Sequence, residues 1–332
     1  MPRNAGPEWL IEEGIGEHRA ILTENGAIRA ARIDWPGPLA AGQVEDAVLI
    51  ARTAGAKRGL LRFASGEEAL VDQLPREASE GAPLRAVITR AAIAETGRLK
   101  RAQARPTTQP PRPAPTLAER LRSEGETARV VRRFEADLSA DWDALFAEAW
   151  SGEIAFAGGS LTISPTPAMT LIDVDGTLPL HALALAAIPA VADAIRRFDL
   201  AGSIGIDFPT LSDKADRRAV DEGLATALAD WRHERTAING FGFVQLVARL
   251  ERPSLLHRLA RDRTGAAARL LLRRAERIDG AGALLVAAHP GVLAAVRPDW
   301  RDNLARRSGK QIRWQPEPAL ALDGGYAQLV DL

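Results

Sequence analysis

LIDVDGTL, residues 171–178, and SIGIDF, residues 203–208, are two short apolar runs, each carrying an aspartate near its end. Between them, HALALAAIPAVADAIRRFDLAG places apolar residues three and four apart, the spacing of an amphipathic helix kinked or started near Pro189, with Gly202 where a helix stops. Strand, helix, strand is a βαβ unit, and the 34 positions from Asp173 to Asp207 suit its usual length. In such a unit the C-terminal ends of both strands lie on one edge of the sheet, where open α/β folds place their ligands. Asp173 and Asp207 are therefore expected to face one another. A single aspartate there would as readily cap the helix or turn that follows; two on paired strands point to a cation. Held close without one, two carboxylates repel and one takes up a proton. With Mg2+ between them both stay ionised, and such an ion can orient a phosphodiester and activate water.

The rest of the composition narrows the chemistry. At 332 residues the chain has room for two or three compact units. Its 43 basic residues balance 43 acidic ones, so a nucleic-acid site has to be a local patch. The absence of cysteine excludes disulfides, thiolate zinc sites and cysteine nucleophiles. Metal ligands must then be carboxylates or histidines, and the five histidines show no metal-binding spacing; His181, close to the first aspartate strand, is the one to watch. The N-terminus MPRNAGPEWLIEEG has acids where a signal peptide needs apolar residues, and GAGALLVAAHPGVLAAV, 280–296, is broken by His289 and Pro290. A cytoplasmic protein with no membrane partner is expected.

Residues 1–102 carry short alternating segments separated by glycine, proline and Asn-Gly signals, the pattern of a small β-rich module. QARPTTQPPRPAPT, 103–116, holds five prolines and reads as a semi-extended linker. Residues 117–277 open with a long helical stretch, LAERLRSEGETARVVRRFEADLSADWDALFAEAW, and contain the βαβ unit and a further helix, DKADRRAVDEGLATALADWRHER. Residues 278–332 suggest a small C-terminal α/β domain. The fold class is α/β, of the α+β multidomain kind. Gly240-Phe241-Gly242 lacks the rest of a dinucleotide fingerprint and marks a turn.

The octapeptide LIDVDGTL matches the first motif of haloacid dehalogenase-type phosphatases, with Asp173 as nucleophile and Asp175 as its acid/base partner. That family also needs an acidic Gly-Asp motif downstream, and no Gly-Asp dipeptide follows residue 178. A longer stretch, about 155–256, resembles the catalytic core of the ribonuclease E/G family. GGSLTISPTPAMTLIDVDG stands for its first metal strand and AVADAIRRFDLAGSIGIDF for the helix and second metal strand; RRAVDEGLATAL and INGFGFVQLVARLERPSL follow in the same order. The resemblance implies a deoxyribonuclease-I-like subdomain in which Asp173 and Asp207 bind catalytic Mg2+, with Mn2+ able to substitute. Asp175 stands where the family usually has an assisting Asn. The N-terminal part resembles the family's first strands with an inserted OB-type RNA-binding barrel.

Four departures accompany that resemblance. Aromatic residues are sparse in the barrel region, where Leu60 and Leu61 stand near the usual Phe. No Arg-Thr motif of the family's 5′-monophosphate sensor is found. The Cys-x-x-Cys zinc link is replaced by RLARDRTGAAARL, so any homo-oligomer is not joined by zinc. Asp at 175 adds a negative charge beside the metal.

The implied partner is RNA. Arg98, Lys100 and Arg101 in GRLKRAQAR, and Arg249 and Arg252 near the end of the core stretch, lie beside the family's RNA-binding elements and are the expected phosphate contacts, although charge runs are more often solvated helix faces. The function expected is Mg-dependent endoribonuclease action on single-stranded RNA or on rRNA and mRNA precursors. The alternatives are an RNA-binding protein of the same fold that has lost cleavage and, last, a phosphatase.

Overall fold

The structure is a computed structural model that describes residues 6–95 and 98–331. Strands β1 (Glu8–Gly14), β2 (Glu17–Glu24) and β3 (Ala27–Asp34) form an antiparallel meander. The chain then enters a closed five-stranded barrel made of β4 (Val44–Arg52), β5 (Arg58–Phe63), β6 (Glu68–Asp72), β7 (Pro83–Arg90) and, beyond the short hairpin β8 (Ile93–Glu95) and β9 (Arg98–Lys100), β10 (Ala102–Pro106). After helix α1 (Leu117–Ser123), strand β11 (Ala128–Val131) returns to pair with β1 in parallel, Trp9 opposite Ala128. The barrel is thus an insertion in the N-terminal sheet.

Two expectations change here. The proline-rich stretch does not begin as a linker: Ala102–Pro106 closes the barrel against β6 and β7, and Arg112 still bridges to Val44. Proline is tolerated because Pro106 is the last residue of its strand, where a missing N–H costs no interior ladder bond. The helical stretch after 117 forms two helices, with strand β11 between them. ARVV carries two β-branched valines and follows Gly125, whose φ of +87° ends α1.

Helix α2 (Ala136–Ser151) leads into the central sheet, whose order is β12 (Glu153–Phe156), β13 (Gly159–Pro165), β14 (Thr170–Gly176), β15 (Gly202–Asp207), β17 (Phe243–Ala248), β16 (Glu234–Arg235). Only β14 and β15 are parallel. Helix α3 (Leu180–Arg197) makes the crossover between them, and α4 (Lys214–Ala227) follows β15. Pro189 lies inside α3 and does not end it; it sits on the exposed side, where the Leu185 carbonyl it leaves free can be hydrated. Ile172, Val174, Ile204, Ile206, Val244 and Leu246 line the buried face of the sheet, packed with Leu183, Ala187, Val191 and Ile195 of α3. Leu10, Ile21 and Ile28 of the N-terminal sheet share that core.

Helices α5 (Leu255–Arg261) and α6 (Arg263–Glu276) lead to the three-stranded sheet β19 (Ile312–Pro316), β18 (Ala283–Ala288), β20 (Tyr326–Val330), with α7 (Pro290–Ala295) and α8 (Pro298–Ser308) after β18. Although α6 precedes residue 278 in sequence, its Leu271, Leu272 and Ala275 pack with Leu284, Val286 and Trp300 of the C-terminal unit. Arg273 of α6 reaches the other way, donating to Glu12 at 2.7 Å and to Glu17 at 3.2 Å. Arg19 donates to the second oxygen of Glu12 at 3.0 Å and lies over the rings of Phe134 and Trp142. A buried ionic cluster therefore ties the N-terminal sheet to the helix that carries the C-terminal unit.

Candidate active site

The βαβ reading leads to one register pair: Asp173 on β14 stands directly opposite Asp207 on β15. Adjacent strands lie about 4.8 Å apart, so the two carboxylates leave neighbouring backbone positions on the same face. Alternation sets that face. Ile172, Val174 and Ile206 point into the core, and Asp173, Asp175 and Asp207 are exposed on the opposite side. Thr162 on β13 pairs with Asp173, and Phe243 on β17 pairs with Asp207.

The carboxylate of neither Asp173 nor Asp207 takes part in a hydrogen bond or ion pair with another described residue. Asp175 differs, because its Oδ1 accepts the Gly176 N–H at 2.8 Å, a local turn contact at the strand end. Two unsatisfied carboxylates side by side repel, and hard oxygen donors of this kind suit Mg2+, which binds one or two protein carboxylates and completes its shell with water and phosphate. Among the described residues no cluster of three or more metal-ligating side chains occurs. The donor set therefore fits such a substrate-completed ion, and does not form an all-protein cage.

Three side chains join this edge that sequence spacing did not single out together. Leu180 begins α3 just beyond Asp175; Lys214 begins α4 just beyond β15; Phe241 sits in the loop before β17. Lys214 is exposed, with no ion pair to any described carboxylate. His181 of α3 brings its Nδ1 to 3.2 Å from Asp216 Oδ1 of α4, at an angle outside hydrogen-bond geometry. The only sequence sign of this grouping is that Leu180, His181 and Lys214 each follow an aspartate strand.

The expected RNA contacts do not converge on the acids. Arg249 and Arg252 follow the far end of β17, where Ala248 pairs with Gly202, five residues from Asp207 and so about 17 Å along the sheet. Arg249 is 86% exposed and 3.2 Å from Glu251. Arg252 is committed to the fold: its Nε and a terminal nitrogen donate to Asp199 at 2.5 and 3.0 Å. Burial pulls its guanidinium pKa down, but Asp199, Glu124 and Glu251 outweigh this and hold it above the usual value. Both arginines line an open groove of about 900 Å3 with Trp231, Arg232 and His233. On the barrel, Arg101 pairs with Glu68 at 3.3 Å and Lys100 is half-buried in β9. Arg98 begins that strand, and its side chain lies outside the described ones. Leu61 and Phe63 point into the barrel core, which leaves the half-buried Leu60, one position before Leu61, on the outer side with Arg62.

No protein-family model matches the chain. It is similar to ribonuclease G of Escherichia coli strain K12, of E. coli O157:H7 and of Shigella flexneri, in each case 29% identical over 191 residues that cover 49% of this chain and 39% of the relative. The match thus spans about two-fifths of the length of these curated relatives, a distant and partial relationship to a ribonuclease. No helix among the described residues is long and apolar enough to cross a membrane.

Proposed function

We propose that the chain is a reduced endoribonuclease of ribonuclease E/G type that cleaves single-stranded RNA or RNA precursors in an Mg2+-dependent reaction, with Mn2+ able to substitute. The observation that carries this reading is the Asp173–Asp207 register pair, exposed and unpartnered at the end of the parallel strands. The distant likeness to ribonuclease G supports it. So does the barrel, whose strands, numbered in chain order, close as 1-2-3-5-4-1, the connectivity of an OB-type module.

Asp173 and Asp207 would hold the cation. When bound, such an ion supplies an activated water and offsets the charge that develops on the phosphate oxygens. The residues of the chain do the rest. The two aspartates fix the axis along which a phosphodiester lies across the strand ends. Lys214, which opens the helix after β15 and has no carboxylate partner among the described residues, would neutralise a phosphate held there. Asp175, turned back onto the Gly176 N–H, adds negative charge without being held toward its two neighbours. The deciding experiment is cleavage of a 5′-labelled single-stranded RNA in Mg2+ by the wild type and by Asp173→Asn and Asp207→Asn. Loss of cleavage in both variants, with folding unchanged, supports the site; full activity in either, or undiminished activity in EDTA, rejects it.

A second reading, an RNA-binding protein of the same fold without cleavage, draws on the outer face of the barrel, where Leu60 stands in place of an aromatic side chain. A gel-shift titration separates the two, because a pure binder retards RNA in Mg2+ and yields no fragments.

A further inference from the structure

Phe241 is 82% exposed and Leu180 is 56% exposed, the two highest values for large apolar side chains among the described residues. Both stand at the sheet edge that carries the acids. Leu180 follows β14 by four residues, and Phe241 lies two residues before Phe243, the register partner of Asp207. Exposed apolar side chains scattered over a surface need no explanation. Here the two most extreme ones flank one pair of carboxylates.

The loop that displays Phe241 is held rigidly. Asn239 Oδ1 accepts the N–H groups of Phe241 at 2.9 Å and Phe243 at 3.1 Å, so one side chain fixes both ends of the turn. Thr210 donates its hydroxyl to the Phe241 carbonyl at 3.3 Å, and the Phe208 N–H donates to the Gly242 carbonyl at 3.1 Å. Gly242 has a φ of +93°, and a Cβ there would lie 2.2 Å from the Phe208 carbonyl oxygen, so glycine is required for this approach. Phe241 itself packs into nothing that these bonds protect. The turn spends several fixed hydrogen bonds to hold an aromatic ring in water beside Asp207.

We infer that Phe241 is a base-stacking platform, a positioning residue that holds an unpaired RNA base next to the scissile phosphate. The inference rests on the nuclease reading for what lies beside the ring, but not for the stacking itself. An aromatic face accepts any base, and stacking of this kind is worth a sizeable part of single-strand affinity where a barrel offers few aromatics. The platform selects single strands, since a base in a duplex has no free face to offer.

The test uses the full chain in the Asp173→Asn background, which keeps the RNA intact. A single-stranded oligonucleotide carrying 2-aminopurine is titrated against Phe241, Phe241→Trp, Phe241→Leu and Phe241→Ala forms, with fluorescence quenching and affinity as readouts. The expected result is quenching by the Phe and Trp forms, its loss in Leu and Ala, and a 5- to 100-fold weaker affinity for Ala. A duplex of the same sequence should bind all four alike. Ala within twofold of Phe, quenching unchanged in Ala, or no binding of the single strand by the Phe form each overturns the platform. The nuclease reading fails separately, through cleavage by Asp173→Asn or none by the wild type, and a stacking loss in Phe241→Ala would stand in either case.

Discussion

Glu12 on β1 and Arg273 on α6, 261 positions apart in sequence, meet at 2.7 Å with both side chains buried. Glu12 also accepts from Arg19 and, at 2.8 Å, from the Phe134 N–H. One carboxylate thus accepts from two buried guanidiniums and a backbone donor, and joins the first strand to the helix under the C-terminal sheet. Burial alone would raise its pKa, but Arg19, Arg273 and the Phe134 N–H together hold it below the ordinary value of 4.5.

A first prediction follows from that cluster. Removing one partner of a buried ionic group leaves the other uncompensated, at a cost of about 3–5 kcal/mol. Glu12→Gln keeps the shape and an acceptor for Phe134 but not the charge, so urea denaturation at pH 7 should show a loss of that order. A carboxyl with a lowered folded pKa stabilises the fold above its unfolded value and loses that contribution as the pH falls through the folded one. The wild type should therefore lose stability below about pH 4.5, and Glu12→Gln should lose less over the same interval. Equal acid sensitivity of the two proteins would contradict this assignment.

A second prediction separates the three acids. Asp173 and Asp207 are free and in register, whereas Asp175 is engaged with its own turn. Asp173→Asn and Asp207→Asn are expected to lower the cleavage rate at least about a thousandfold, the loss of about 4 kcal/mol of barrier lowering. Asp175→Asn, which restores the residue usual in the resembled family, should stay within about tenfold of the wild type at saturating Mg2+. A rate series across Mg2+ concentrations up to saturation reads both effects. Similar losses in all three variants would make Asp175 a ligand.

The third prediction divides Arg249 from Arg252. Bidentate pairing with Asp199 makes Arg252 part of the connection between α3 and β15, where Asp199 itself has a φ of +52°. Arg252→Ala should lower stability by about 1.5–3 kcal/mol, as expected for charged hydrogen bonds. Arg249 is mostly exposed, and Arg249→Ala should leave the melting temperature within about 1 °C, a shift smaller than 0.5 kcal/mol gives in a protein of this size. If Arg249 contacts a phosphate, its removal flattens the salt dependence of RNA binding by about one counterion. An unchanged slope would assign it to Glu251 alone.

How much of this was legible beforehand depended on the range of the interactions involved. The Asp173–Asp207 juxtaposition could be read because a βαβ unit is local and right-handed, and its strand ends are fixed by the two apolar runs themselves. Strand β11 was hidden because ARVV is four residues long and its partner β1 lies more than a hundred positions away. The Glu12–Arg19–Arg273 cluster was invisible for the same reason, since nothing local marks an arginine as buried. Arg252 looked like a surface cation in sequence, and only its three-dimensional approach to Asp199 shows otherwise. Phe241 was read as part of a glycine turn. That was correct for the backbone and silent about the ring.

The last prediction concerns the 5′ end of the RNA. A sensor for a 5′-monophosphate needs donors that are free to converge on its oxygens, since charge-assisted bonds are what would separate it from a hydroxyl. Between the barrel and α2 the chain offers six arginines, and four of them already donate within the fold: Arg120 to Asp34, Arg122 to the Ala128 carbonyl, Arg129 to Glu8, and Arg133 to Asp279 and the Glu276 carbonyl. The other two do not meet, because Arg112 bridges to the barrel at Val44 whereas Arg132 follows β11 in the N-terminal sheet. Rates of cleavage for 5′-monophosphate, 5′-triphosphate and 5′-hydroxyl forms of one RNA are therefore expected to agree within about threefold, a gap of about 0.7 kcal/mol. The open pocket that Arg132 and Arg133 line with Arg277 and Arg307 gives the way to overturn this. A tenfold or greater preference for the monophosphate, abolished by Arg132→Ala, would make that pocket the sensor.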